Sequence, residues 1–260
     1  MSKSAIIIPA RMKSSRYPNK PMCMIKGMSM IERVWRIAKA VQSADEVRIA
    51  TDDPGLFEFV QSFGAQAIMT SPTCQTGSDR VAEALQHLPE VDIVFNLQGD
   101  AVLTPPHIIE AVLKTMLNDA NIAIATPAVR QTGQNLEEYV KRKKQGIAGG
   151  TAVVFDKNHN ALYFSNSLIP FSRSGTYQDV PVFRHIGLYG YRKAALLNYQ
   201  TLPQTPLEKI EQLEQLRALE NGIPIKIVEV DYAGRSHGSV DHPEDVQIVE
   251  AIIEREGELV

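Results

Sequence analysis

The sequence predicts an α/β protein: a mostly parallel sheet with helices on both faces, to which a small antiparallel subdomain is added. Strand-like apolar runs alternate with amphipathic stretches through the first half, the pattern of repeated βα units. Residues 127–150 are polar and glycine-bearing and break that rhythm. From Thr151 the apolar runs are short and closely spaced, as antiparallel strands are. The 260 residues fit a single domain, 1–260, with the inserted antiparallel part within 127–192.

Ala5–Ile8 reads as a buried strand that stops at Pro9. Ser29 and Glu32 form a capping box ahead of the helical pattern Ile31, Val34, Trp35, Ala38. Val47–Ala50 is a strand ending in Thr51-Asp52-Asp53. Asp53 can cap a helix with Pro54 at its first position, and Gly64 lies where that helix should stop. Ala65–Met69 is a third strand and Asp79–Leu88 a helix. Val91–Leu97 runs into Gln98-Gly99-Asp100, Pro105–Leu117 is the next helix, and Ile122–Thr126 closes the series. Lys141–Lys144 reads as a solvated helix face or loop. Ala152–Phe155, Leu162–Phe164 and Ile186–Tyr191 are the antiparallel candidates. Leu207–Glu220 is a helix, Ile225–Val230 a late strand, and Pro243–Glu256 a terminal helix opened by Asp241 or His242.

Composition narrows the function. A formal net charge of −3 argues against a general nucleic-acid binder. Cys23 and Cys74 make no disulfide framework and keep no metal-ligand spacing. No stretch approaches the ~20 apolar residues of a membrane span, and the run at Ala5 is too short for a signal peptide. A cytoplasmic protein without membrane insertion is expected. The glycine-rich fingerprints of P-loop ATPases and dinucleotide-dependent dehydrogenases are absent, as is a G-x-S-x-G elbow.

Two features carry chemistry. Arg11, Lys13, Arg16 and Lys20 crowd the loop after the first strand, at the edge of an open α/β sheet where ligands bind. Such a loop is either plainly solvated or the seat of a strong anion such as a triphosphate. Asp100 ends the fourth strand on the same sheet edge, and Asp241 lies between a late strand and the last helix. Singly, each is an ordinary turn or N-cap aspartate. Converging beside phosphates, they would hold Mg²⁺, which takes one or two carboxylates plus phosphate oxygens. The chemistry of such a site is phosphoryl or nucleotidyl transfer by positioning and electrostatics.

The segment IIPARMKSSRYPNKPM resembles the nucleotide-binding segment of the sugar-activating cytidylyltransferases, in particular the 3-deoxy-manno-octulosonate (Kdo) cytidylyltransferase family. ATDD (50–53), QTGSDRVAEAL (75–85), NLQGD (96–100), ALYFS (161–165), RHIGLYGYRKAAL (184–196), PLEKIEQLEQLRALENG (206–222) and VDHPEDV (240–246) continue the likeness in order along nearly the whole chain. The resemblance implies a Rossmann-like, GT-A-like nucleotidyltransferase fold, a three-layer sandwich whose small antiparallel subdomain serves dimerisation. It implies that Arg11, Arg16 and Lys20 hold the phosphates of CTP, with Pro9 and Ala10 shaping the loop. Gln75, Gly77, Ser78 and Arg80 would lie at cytosine and ribose, and Asp100 and Asp241 at Mg²⁺. Gln98, Arg173, His185, Tyr189, Glu214 and Gln215 would face the sugar acid. Arg11, Lys20, Asp100 and Asp241 would be the catalytic set. The anomeric hydroxyl of the sugar would attack the α-phosphorus of CTP, giving a CMP-sugar and pyrophosphate, in a homodimer formed through 152–192.

Three positions depart from the family pattern. Ala101 replaces the glutamate of QGDEP, Ala152 stands where a lysine is expected, and Asn166 where an arginine is expected. Fewer cations near an acid pocket point to a modified acceptor, such as an amino-substituted Kdo. A sialic acid-like acceptor, and a non-catalytic nucleotide-binding protein on the same fold, are the alternatives. His185 and Tyr189 could simply pack, and the 207–220 glutamates could be surface residues.

Overall fold

The computed structural model describes residues 2–13, 17–146 and 149–260. Strand β1 (Lys3–Ala10) is followed by a small hairpin, β2 (Met24–Ile25) and β3 (Met28–Ser29), and by α1 (Met30–Lys39). Next come β4 (Glu46–Thr51), α2 (Pro54–Ser62), β5 (Ala67–Met69), α3 (Gly77–Ala84), β6 (Val91–Asn96), α4 (Pro106–Asn118), β7 (Ile124–Arg130) and α5 (Gly133–Lys144). The second half holds β8 (Ala152–Phe155), β9 (Ala161–Ser165), β10 (Phe183–His185), β11 (Tyr189–Arg192), α6 (Lys193–Thr201), α7 (Pro206–Glu211), α8 (Gln215–Glu220), β12 (Ile225–Val230) and α9 (Asp245–Glu256).

All strands but β2 and β3 join one sheet, in the order β5-β4-β1-β6-β11-β7-β10-β8-β9, with β12 also paired to β7. β5, β4, β1 and β6 are mutually parallel, as are β7 and β12. β11 lies antiparallel between β6 and β7, inside the main sheet rather than beside it. β10, β8 and β9 continue antiparallel from β7.

The core shows why β1 reads as a continuous apolar run. Ile6 and Ile8 pack into one cluster with α1, α4 and α9, while Ala5 and Ile7 pack into another with α3, α6 and α8. A strand covered on both faces has no polar side to alternate with. The sandwich therefore has three layers, as expected.

Local signals held at several starts. The Ser29 hydroxyl accepts the Glu32 N–H, and the Asp53 carboxylate accepts the Leu56 N–H with Pro54 at the first helical position. Three expectations change. The helix expected over 207–220 is two helices, because Gln212 adopts a left-handed conformation (φ 57°) that ends α7. Of the strand expected over 186–191 only the part from Tyr189 is strand, in β11; a break over 186–188 separates it from β10, which ends at His185. The last helix begins at Asp245, whose carboxylate accepts the N–H groups of Asp241 and His242 instead of either of these residues capping it. The basic run at 141–144 does close a helix, yet Lys143 is buried and donates to the Asn166 carbonyl at 2.6 Å.

His185 pins the break before β11. The buried Thr126 hydroxyl donates to the Leu188 carbonyl (2.6 Å) and takes a hydrogen bond from His185 Nε2 (2.8 Å), in the tautomer this pairing requires. Burial pushes the imidazole pKa down to about 3, so the ring is neutral. An unfolded histidine binds its proton near pH ~6.5, so folding loses stability as pH falls from there toward 3. Between pH 7 and pH 5 this site contributes a loss of about 2 kcal/mol. Urea denaturation at both pH values should show a smaller loss in His185→Gln than in the parent; equal losses would contradict the assignment.

Gly190 of β11 faces α4 so closely that a Cβ would lie 2.6 Å from Met116 Sδ and 3.2 Å from Val112 Cγ1. Gly190→Ala should cost about 1–3 kcal/mol by overpacking, read as a lowered urea midpoint; an unchanged midpoint would refute the tight fit.

Candidate active site

The carboxyl ends of β1, β5 and β6 deliver three connections to one sheet edge. Between them lies a cleft of about 260 Å³ lined by Pro9, Ala10, Arg11 and Lys20 from the first loop, Thr76 at the N-cap of α3 with Gly77 and Arg80 of that helix, and Gln98, Gly99 and Asp100 after β6. Pro21, Met30 and Cys74 complete its wall. Two glycines let the loops approach this closely. A Cβ on Gly99 would sit 3.1 Å from the Pro9 carbonyl oxygen, and one on Gly77 3.3 Å from Pro9 Cγ.

The loop after β1 is folded back on itself. Asn19 donates its N–H to the Met12 carbonyl (3.1 Å) and takes a left-handed conformation (φ 59°), starting the tight turn Lys20–Met22. This presents Lys20 to the far carboxylates. Its ammonium lies 2.7 Å from Asp100 Oδ2 and 3.9 Å from Asp241 Oδ1. Two aspartates 141 residues apart thus meet at one cation of the basic loop. Lys20 is 15% exposed against 27% for Asp100 and 40% for Asp241, so the pair with Asp100 is the better shielded from solvent.

At the other end of the cleft, buried Arg80 is locked in place. Its guanidinium donates to Thr70 Oγ1 at 2.5 Å and pairs with Asp52 Oδ1 at 3.1 Å. The α3 N-terminus carries a capping box in which the Asp79 carboxylate accepts the N–H groups of Gln75 and Thr76 (3.0 and 2.8 Å), and Thr76 Oγ1 accepts that of Asp79. The capped N-terminus favours anions at that wall. Cys74 is no nucleophile: burial and the adjacent Glu83 carboxylate push its thiol up to about 11, keeping it protonated.

The expected residues divide. Pro9, Ala10, Arg11, Lys20, Gly77, Arg80, Gln98 and Asp100 line the cleft, and Asp241 joins it through Lys20. Gln75 does not: it is exposed and its amide donates to the Thr73 carbonyl. Ser78 is buried behind the wall, 3.5 Å from Asn96 Nδ2. Arg16 lies outside the described residues. Of the residues expected at the sugar acid, only Gln98 lines the cleft itself. His185 and Tyr189 pack together with ring centroids 5.5 Å apart, and Tyr189, Glu214 and Gln215 line a separate cavity of about 20 Å³. Burial raises the Glu214 carboxyl above its usual range. Arg173 is exposed in the β9–β10 connection and lines neither cavity. Asp52 and Thr70 were not placed at the site from the sequence; the strand-end Thr51-Asp52-Asp53 was the signal for Asp52.

The three departures sit in different places. Asn166 at the end of β9 donates its backbone N–H to Glu211 Oε2 (2.8 Å) and its side chain to the Glu211 carbonyl (2.5 Å). Ala152 pairs with Arg184 and packs against Leu136 and Tyr139 under α5, on the opposite sheet face from His185. Ala101 is buried in the turn after Asp100.

The cytidylyltransferase family profile matches residues 5–227. The 3-deoxy-manno-octulosonate cytidylyltransferase of Maricaulis maris is 49% identical over 255 residues, 98% of both chains. That of Myxococcus xanthus is 43% identical over 258 residues, again 98% of both. Among solved structures, a CMP:2-keto-3-deoxy-manno-octonic acid synthetase complexed with CTP superposes with a TM-score of 0.87 at 37% identity, covering 98% of this chain and 100% of that one. A 4-diphosphocytidyl-2C-methyl-D-erythritol synthase shares the fold alone, with a TM-score of 0.62 at 12% identity over 97% of this chain and 99% of its own. A basic loop, two converging carboxylates and full-length identity above 40% agree: the chain belongs to the cytidylyltransferase family.

Proposed function

We propose that this enzyme transfers CMP from CTP to a 3-deoxy-2-keto sugar acid, Kdo or a close analogue, and releases pyrophosphate. The observation that carries the reading is the meeting of Lys20, Asp100 and Asp241 beside Arg11, at the mouth of a cleft whose far end is fixed by Arg80. The family membership and the CTP in the closely similar synthetase support the donor. The names of the relatives support the acceptor.

Arg11 and Lys20 hold the phosphates and offset their charge. Arg80, braced by Asp52 and Thr70, bounds the cytosine and ribose end beside Gly77. Among the described residues no cluster of three or more metal-ligating side chains exists. Two hard carboxylates reaching one cationic point nonetheless fit Mg²⁺, which takes one or two carboxylates together with phosphate oxygens. Asp100 and Asp241 would hold that ion, which would offset charge on the phosphates of CTP. The anomeric oxygen forms its bond to the α-phosphorus as the bond to pyrophosphate breaks, with no covalent enzyme intermediate. Gln98 is assigned to the sugar acid on its place in the cleft wall; Arg173, His185, Tyr189, Glu214 and Gln215, which lie outside the cleft, are assigned to it on the family resemblance alone.

The reading includes a homodimer formed through the 152–192 segment, where Leu162 is 63% and Phe171 82% exposed, an apolar surface that a partner would cover. It also includes a cytoplasmic location, where CTP is made; no helix among the described residues is long and apolar enough to cross a membrane.

Pyrophosphate release from CTP, Mg²⁺ and Kdo should proceed at an ordinary enzymatic rate of ~1–10³ s⁻¹. Release only with an amino-substituted octulosonate would move the acceptor to that analogue. CTP binding without release for any sugar acid would mean a nucleotide-binding protein. Lys20→Met should lower kcat by ~10²–10³-fold while circular dichroism shows the fold intact; a kcat within twofold of the parent would remove Lys20 from the catalytic set.

A further inference from the structure

A second cavity, larger than the nucleotide cleft, opens beyond the ends of β7 and β12. It measures about 700 Å³, within the ~300–1,000 Å³ range of small-molecule pockets. Its walls are α5, the 129–132 segment, Arg184 and Ile186, and the 230–237 connection. Four arginines line it, Arg130, Arg142, Arg184 and Arg235, against two acidic residues, Glu138 and Asp231. Asp231 Oδ1 already accepts the Ala233 N–H, and Arg235 donates to the Gly257 carbonyl.

Arg184 is the informative residue. It faces away from the sugar-acid side of β10, because its neighbours Phe183 and His185 point to the other face of the strand. Among the described residues no carboxylate pairs with it. Its Nη2 meets Nδ1 of His237 at 2.7 Å, and its Nε is buried without a hydrogen-bond partner. His237 accepts that bond as a neutral ring; burial first, and then the adjacent guanidinium, disfavour its protonation. Burial first disfavours the Arg184 charge, the Tyr232 and Tyr139 side chains act against that, and Arg142 adds a small further disfavour. Gly150 (φ 68°) closes the back of the site, since a Cβ there would stand 3.4 Å from Arg184 Nε and 3.1 Å from Tyr139 Cε2. A half-buried guanidinium with a neutral partner, a cationic neighbour and an unmet donor is costly unless an anion visits it. Tyr139 contributes an apolar ring wall, its hydroxyl being engaged by the Gly150 carbonyl at 2.6 Å.

We propose that this cavity is a second ligand site, distinct from the nucleotide cleft, that binds a phosphorylated small molecule through Arg184 and Arg142. A guanidinium fork matches the planar spread of phosphate oxygens, and the volume leaves room for an organic group beyond the phosphate. The 230–237 wall leads within four residues to Asp241, which connects the two sites along the chain. The proposal stands whatever the acceptor sugar is.

Ribose 5-phosphate, inorganic phosphate and citrate serve as probes, each titrated calorimetrically into the full chain saturated with CTP and Mg²⁺. Ribose 5-phosphate should bind with a Kd below ~1 mM in the presence of CTP, and more tightly than the other two. Arg184→Met should weaken it at least tenfold with CTP affinity unchanged. Arg142→Gln, on the exposed face of α5, should weaken it in the same direction and guards against a folding defect in the first variant. Absence of binding, displacement by CTP, or indifference to both substitutions would overturn the site. Equal or tighter binding of inorganic phosphate or citrate would overturn the class of ligand.

Discussion

The site depends on the Lys20 ammonium held between Asp100 and Asp241. Three remote pieces of chain meet there: the loop after β1, the turn after β6, and the connection that leads into α9. Each piece is held by its own local chemistry. The left-handed Asn19 turn aims Lys20, Gly99 lets the β6 turn cross over Pro9, and the Asp245 carboxylate gathers the N–H groups of Asp241 and His242. Two aspartates facing each other without a cation would repel. The Lys20 ammonium offsets that repulsion by lying 2.7 Å from one carboxylate and 3.9 Å from the other.

A second constraint is the rigidity of the far wall. Arg80 is buried, paired with Asp52 and bonded to Thr70, which fixes its guanidinium in place. The cleft thus combines a fixed end at Arg80 with a charged end at Lys20, Asp100 and Asp241. Electrostatic catalysis needs this division: positioning groups held rigid, and charge supplied where it develops.

Much of this was legible in the residues. β1 announced itself because a doubly covered strand is apolar throughout, and the Asp53-Pro54 start is a purely local signal. Asp100 and Asp241 could be placed near the basic loop because a parallel sheet gathers its strand ends at one edge. What the residues hid was tertiary. β11 inserts between β6 and β7, which no local pattern encodes. The break at Gln212 comes from a non-glycine residue adopting φ 57°, which propensity disfavours. Gln75 misses the cleft because its amide turns back to the Thr73 carbonyl ahead of α3, and Ser78 because a helix turns successive side chains to different sides. Ala152, read as a loss from the acid pocket, lies under α5 on the other sheet face, since strand neighbours alternate.

The central claim is that Lys20 exchanges carboxylates for phosphates when nucleotide arrives. A crystal structure of the protein with CTP and Mg²⁺ tests it most directly. The account predicts Lys20 Nζ within hydrogen-bond distance of a phosphate oxygen, with the metal bound by Asp100 and Asp241. A triphosphate bound elsewhere, with Lys20 still paired to Asp100, would contradict it.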